Sequence, residues 1–272
     1  MAQEISQEIS QETPKETSQE KQQDKEFMAT LAKGLALLGS FDKQRPAMTL
    51  SEAAKATGFS RATARRILRT LAELGYVAQN GREFSLSSGI LKLGFAYLAT
   101  QNWIEQASPL LRQLGDEFHE SCSAAILEGA EIVYVARFPA RRIMSVTLAV
   151  GTRLPAFHTS LGRIQLGFLD DAELWCRLRS LRVEAYTPST ITDVQALYER
   201  VREDHAQGFS IVDEELERGL RSIAVPIIDR AGQAIAGLNV STHSTRTTRN
   251  EMRERFLPRL RAVADNISAS VA

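Results

Sequence analysis

Two groups of residues have the types and spacing to do chemistry. The first is cationic. Within RATARRILRTLAEL, Arg61, Arg65 and Arg66 crowd the N-terminal half of a helix-forming stretch, with Ser60 and Thr63 beside them and Arg82 further on. Arginines neutralise phosphates and displace counterions, and a guanidinium fork can read a base edge. The second group is polar and mostly uncharged. Asn239 and Ser241 flank Val240, and His158, Thr159 and Ser160 run up to Leu161. In a strand, residues two apart share a face, so Asn239 and Ser241 could offer hydrogen bonds together. Thr159 or Ser160 can cap a helix beginning near Leu161. The free N–H groups of that first turn could hold a small carboxylate, or the segment is an ordinary capped helix.

Catalytic arrangements are not legible. His119, His158, His205 and His243 lack metal-ligand spacing, and Cys122 and Cys176 form neither a ligand cluster nor a disulfide framework. There is no nucleophile elbow, phosphate loop or dinucleotide fingerprint. Asp213, Glu214, Glu215 and Glu217 could bind a cation or act as acid and base, or form a solvated loop or helix start. No catalytic residue, metal or cofactor is expected.

The elements that must position these groups follow from charge and periodicity. The 272 residues carry 33 basic and 33 acidic side chains, which excludes a uniformly basic coat. The charge is uneven, however. Residues 1–26 hold seven acids and three lysines in a Ser-Gln-Glu-rich, low-complexity run, read as a disordered acidic tail. Residues 27–94 hold ten cations and four acids, and the remainder has a net charge of −2. Such asymmetry suggests that one module meets a polyanion. No apolar run reaches the roughly 18–20 residues of a membrane span. Without a signal peptide or a disulfide framework, the chain reads as cytoplasmic with no membrane partner.

Apolar spacing predicts a helix over 27–40. Thr49 with Glu52 has capping-box spacing for a second helix, which Gly58 ends. Ser60 caps the third, with Ile67, Leu68, Leu71 and Leu74 on its apolar side, and Gly75 ends it. Tyr76 and Val77 begin a strand, Asn80-Gly81 is the expected two-residue turn, and Phe84 and Leu86 return. Two helices with a tight turn, then a hairpin, make a winged helix-turn-helix. The alternative is a three-helix bundle with a solvated basic face. Leu91, Phe95 and Leu98 mark a connecting helix that either pairs with its copy or packs within the chain. Pro109 is expected to start a fresh helix. Beyond it come two strands around a Glu128–Glu131 turn, a strand over 143–148, and a hairpin across 229–233. Helices are expected at about 161–169, 171–180, 193–207 and 247–270. The pattern is that of an antiparallel α+β domain.

The segments LAKGLALLGSF, FSRATARRILRTLAELGYV, GTRLPAFHTSLGR and GFSIVDEELERGLRSIAVPI together resemble the IclR family of bacterial transcription regulators over residues 27–272. VARFPARRIMSV and GLRSIAVPI are similar to its branch governing protocatechuate, 4-hydroxybenzoate and β-ketoadipate catabolism. The resemblance implies an α+β chain with an N-terminal winged helix-turn-helix (27–88), a linker helix (89–104) and a C-terminal GAF-like effector-binding domain (105–272). It implies double-stranded promoter DNA, a small aromatic or dicarboxylic acid effector, and a homodimer or dimer of dimers. Thr49, Ser60, Arg61, Thr63, Arg65, Arg66 and Arg82 are the expected DNA contacts, with Arg61 and Arg65 reading bases and Arg66 holding the backbone or a neighbouring helix. Family pocket positions fall on Ser160, Leu161, Asp213, Ser222, Asn239 and Ser241, with His158 and Thr159 nearby. Ser222 stands where many relatives have cysteine, and Leu161 where a small residue is frequent. Met144, with Ile143 and Val146, could supply apolar walls. Arg137, Arg141 or Arg142 could meet a second carboxylate or remain solvated. Two other readings stay open: an enzyme acting on an aromatic acid, and a DNA-binding protein that senses nothing.

Overall fold

The computed structural model describes residues 27–140 and 148–271. The acidic tail, most of the strand expected at 143–148, and Met144 with its neighbours lie outside the described residues. The chain divides into two units, residues 1–96 and 97–272.

In the first unit, α1 (Ala29–Leu38), β1 (Ala47–Thr49), α2 (Leu50–Thr57), α3 (Arg61–Glu73), β2 (Val77–Asn80) and β3 (Glu83–Leu86) follow in order. The capping box at Thr49 forms: Glu52 N–H donates to Thr49 Oγ1, and Thr49 N–H donates to Glu52 Oε2 at 2.7 Å. Gly58 ends α2 at φ 70°, a left-handed angle that favours glycine. Ser60 Oγ accepts from Thr63 N–H and starts α3. Leu37, Met48, Ala53, Ala64, Leu68 and Phe84 fill the core between helices and sheet.

The first unit departs from expectation in three places. Asn80 pairs with Glu83, so the turn residues are Gly81 and Arg82, one position later than the Asn-Gly reading. Gly81 has φ 61° whereas Arg82 does not enter the positive-φ region, the pattern of a glycine-first turn. β1, which the loop around Pro46 concealed, pairs with β3 to give the order β1-β3-β2. Leu74 caps α3 and is 63% exposed rather than packed.

After a 3-10 turn at Ser88–Ile90 comes α4 (Leu91–Ala99), which spans the division between the units. The connecting helix therefore ends at Ala99. The next helix, α5 (Asn102–Phe118), starts well before Pro109 and runs through it. Proline inside a helix forfeits one backbone hydrogen bond. The burial of Trp103, Ile104, Leu111, Leu114 and Phe118 on one face of α5 offsets that loss, each large side chain contributing about 1.5–3 kcal/mol.

The second unit is built on a six-stranded antiparallel sheet of order β6-β5-β4-β9-β8-β7. Its strands are β4 (Ser121–Glu128), β5 (Glu131–Phe138), β6 (Arg153–Pro155), β7 (Ser210–Asp213), β8 (Leu220–Ile228) and β9 (Ala234–His243). The Glu128–Glu131 turn and the β8–β9 hairpin form as expected. β6 and β7 were not legible, because each is only three or four residues long. On one face, Cys122, Ala124, Ile223, Val225, Leu238 and Val240 pack under α5 and the final helix. That helix comprises α9 (Arg249–Glu251), a π-helical turn at Met252–Phe256, and α10 (Leu257–Ser270). The other face takes α6 (Ser160–Leu166), with α7 (Asp171–Ser180) and α8 (Val194–Gln207) among the elements behind it. At Gly237 a Cβ would come within 3.0 Å of Leu161 O, so glycine is what lets α6 approach the sheet.

Candidate functional site

In the first unit, the pattern of α3 separates core from surface cleanly. Ala64, Ile67, Leu68 and Leu71 are buried, while Arg61, Arg65, Arg66 and Arg69 are exposed. Arg61 and Arg65 stand one helical turn apart and therefore on one side. Among the described residues, none of these four nor Arg82 takes part in an ion pair, so their charge is available to an external anion. Arg82 occupies the exposed wing turn. Ser60 and Thr63 sit at the start of α3 with their hydroxyls 3.0 Å apart. Thr49 is further away in role: its hydroxyl donates to Glu52 Oε2 at 2.8 Å as part of the cap.

In the second unit, a cavity of about 320 Å³ lies on the α6 side of the sheet. Its floor follows from register. Ser123 faces Arg137 on β5 and Asn239 on β9, forming one polar rung. Ser121 faces Ser241, which in turn faces Ser222, forming the next. The turn before α6 contributes His158 and Thr159, and Leu148, Leu154, Val212, Leu216 and Leu220 add apolar walls. Of the expected effector contacts, the structure brings together His158, Thr159, Ser222, Asn239 and Ser241.

Others fall elsewhere. Ser160 is buried just behind the lining, its hydroxyl donating to Ser222 Oγ at 2.9 Å. Leu161 points into the core with Ile164 and Leu166. Asp213 is not in the lining, because β-strand alternation gives that position to Val212. Asp213 instead accepts from Arg221 Nε at 2.7 Å and Arg249 Nε at 2.8 Å. Burial works against its ionisation, but these two arginines hold its carboxyl below the usual range. The acidic run is not a solvated loop throughout. Glu215 is buried and clasps Arg163, whose side chain is fully enclosed, with Nη1 donating to Oε1 at 2.8 Å and Nη2 to Oε2.

The sequence leaves Arg137 either meeting a second carboxylate or solvated; in the structure it lines the cavity. A bulge between Ala124 and Ala125 is the reason: Ala124 pairs with Ala136 but Ala125 pairs with Tyr134. Tyr134 and Arg137, three apart, therefore share a face that simple alternation would have split. Arg137 Nη1 donates to Ser123 Oγ at 3.0 Å, while its buried Nε meets no acceptor. Burial lowers its pKa. Asn239 Nδ2 donates to Ser241 Oγ, and Asn239 Oδ1 is buried without a donor. Both ring nitrogens of His158 are likewise buried and unpartnered. Burial first, and the charge of Arg163 second, pull His158 down to about 4, so its imidazole is neutral at pH 7.

A winged helix whose recognition helix carries arginines free of ion pairs, joined in one chain to a sheet domain holding a small cavity with apolar walls and a polar floor, is the construction of a ligand-responsive DNA-binding regulator. Residues 30–81 match the IclR helix-turn-helix domain, and residues 95–269 match the C-terminal domain of bacterial transcriptional regulator IclR. The chain belongs to the IclR family of bacterial transcriptional regulators. It is 44% identical over 243 residues to the Pca regulon regulatory protein of Pseudomonas putida, covering 89% of this chain and 84% of that one. It is 32% identical to the p-hydroxybenzoate hydroxylase transcriptional activator of Acinetobacter baylyi, covering 89% and 91%. The crystal structure of a transcriptional regulator from Rhodococcus sp. RHA1 superimposes with a TM-score of 0.81 at 43% identity, covering 90% and 98%. These families and relatives are transcriptional regulators, not enzymes. Among the described residues, no helix is long and apolar enough to cross a membrane.

Proposed function

We propose that this regulator controls genes of aromatic-acid catabolism and takes a small hydroxylated or oxo acid, such as 4-hydroxybenzoate, protocatechuate or β-ketoadipate, as its effector. The observation that carries the reading is the 320 Å³ cavity, floored by Asn239, Ser241 and Ser222, flanked by Thr159 and His158, and left with unmet buried polar atoms. Such atoms cost stability unless something pairs with them, and a hydroxylated acid would. The relatives named for a Pca regulon and for p-hydroxybenzoate hydroxylase support that class of acid.

The DNA side rests on α3. Its exposed Arg61 and Arg65 read base edges in the major groove, Ser60, Thr63 and Arg66 hold the backbone, and Arg82 reaches from the wing. Thr49 serves chiefly to start α2. Large apolar side chains stay exposed just before α1 (Phe27, Met28), on α1 (Leu31, Leu35) and on α4 (Leu91, Leu93, Phe95), which favours a homodimer reading two half-sites about one helical turn apart. The protein acts in the cytoplasm, where its promoter lies. The acid binds one arrangement of the dimer better than the other and shifts the population, by no more than that difference in affinity.

A thermal-shift screen of the three acids tests the reading, since a ligand of the native state raises the melting temperature. At least one acid is expected to raise it by several degrees at millimolar concentration. No shift with any of them, together with unaltered promoter binding, would overturn the sensor reading.

A further inference from the structure

We propose that Arg137 is the residue that takes the effector's carboxylate, and that it sets the sensor's preference for acids over neutral molecules of the same shape. The inference rests on the sensor reading above and goes beyond it by assigning the charge-recognising group.

Four observations converge. Arg137 is the cationic side chain among the described lining residues. Its guanidinium is tied down at Nη1 by Ser123, which fixes the plane of the fork, while the buried Nε lacks an acceptor. A guanidinium presented this way suits a planar carboxylate, and charge-assisted pairs of that kind are the strong ones. Among the described residues Arg137 is in no ion pair, and the lining's acidic residue, Glu217, is itself engaged.

The side chains at the competing anchor, the start of α6, are already used. Thr159 Oγ1 accepts from Gly162 N–H at 3.1 Å, Ser160 is bonded to Ser222, and Leu161 is in the core. The remaining unmet groups are neutral. Asn239 Oδ1 can accept a ligand hydroxyl, and His158 can give one hydrogen bond and accept another. The effector this wall fits is therefore a carboxylic acid with at least one further hydroxyl or oxo group.

The test is calorimetry on the full chain at pH 7 with 4-hydroxybenzoate, protocatechuate and β-ketoadipate, then with the neutral amide of whichever acid binds. The wild type is expected to prefer the acid over its amide by at least tenfold. In Arg137→Met the acid should weaken by about 10- to 100-fold and the preference should collapse toward parity. Arg137→Lys, which keeps a point charge without the fork, should fall between. An Arg137→Met protein that still prefers the acid overturns the assignment while leaving the sensor reading intact. A wild type that binds none of the three acids defeats the sensor reading and this assignment with it.

Discussion

Glu215→Gln should be among the most damaging single-atom changes available in this chain. Arg163 has no solvent access, its Nε donates to Phe157 O at 2.7 Å, and its other two nitrogens are committed to Glu215. The substitution keeps volume but removes the counter-charge, leaving a buried guanidinium unpaired. Breaking a buried pair from one side costs about 3–5 kcal/mol. In a domain of this size each kcal/mol moves the midpoint by about 2–4 °C, so the melting temperature should fall on the order of 10 °C. The reverse change, Arg163→Met, should cost less, because Glu215 retains 10% side-chain exposure and can recover water or a proton. The pair Arg163→Met with Glu215→Leu should regain much of the loss, which a double-mutant cycle followed by circular dichroism would show. Thr187 and Thr190 donate to the carbonyls of Glu214 and Glu215, and the same loop carries Leu216 and Glu217 into the cavity wall. Acid binding should therefore weaken along with stability. A Glu215→Gln protein within about 1 kcal/mol of wild type would show that water reaches this pair and that the reasoning is wrong.

Three further outcomes are expected. Arg65→Ala should weaken specific promoter binding by about 1–3 kcal/mol and relax base preference; an equal loss on random DNA in anisotropy titrations would make Arg65 a phosphate contact only. Asn239→Ala should lower calorimetric affinity for the acid, and an unchanged value would remove Asn239 from the ligand's contacts. The pH dependence of stability should contain two opposed parts. His158 has a folded pKa near 4, below its unfolded value, so its contribution is lost as pH falls from about 6.5 toward 4. Asp204, buried beside Ser210, has a folded pKa raised to about 6, so protonation stabilises the native state as pH falls from about 6 toward 3.8. Urea midpoints of His158→Gln should therefore lose less stability on acidification than wild type, and those of Asp204→Asn should lose more.

Much of this architecture is visible in the residues because local rules and tertiary packing agree. Thr49 with Glu52, Gly58, and Ser60 each announce a helix boundary through their own hydrogen bonds or φ angle, and they form as the sequence suggests. The alternation of Asn239, Val240 and Ser241 places two side chains in the cavity for the same reason. What escaped notice depends on partners distant in the chain. β1 exists because Met48 meets Phe84, and β7 because Val212 meets Ser222. Pro109 sits inside α5 because the buried face around it outweighs one lost bond. Arg137 enters the cavity through a bulge that no pattern within β5 encodes, and Asp213 leaves it for two arginines, Arg249 lying 36 residues on. Family-level correspondence placed Leu161 at the ligand; its side chain lies in the core, so what that position can offer a ligand is its backbone N–H.

The central claim is that a small acid in the second unit governs how the first holds DNA. Fluorescence anisotropy of the protein's own labelled upstream region, titrated at fixed moderate salt with and without the acid selected by calorimetry, tests it most directly. The account predicts saturable binding that falls steeply with salt and an operator affinity that changes when the acid is added. Identical titration curves with and without a saturating acid would contradict it.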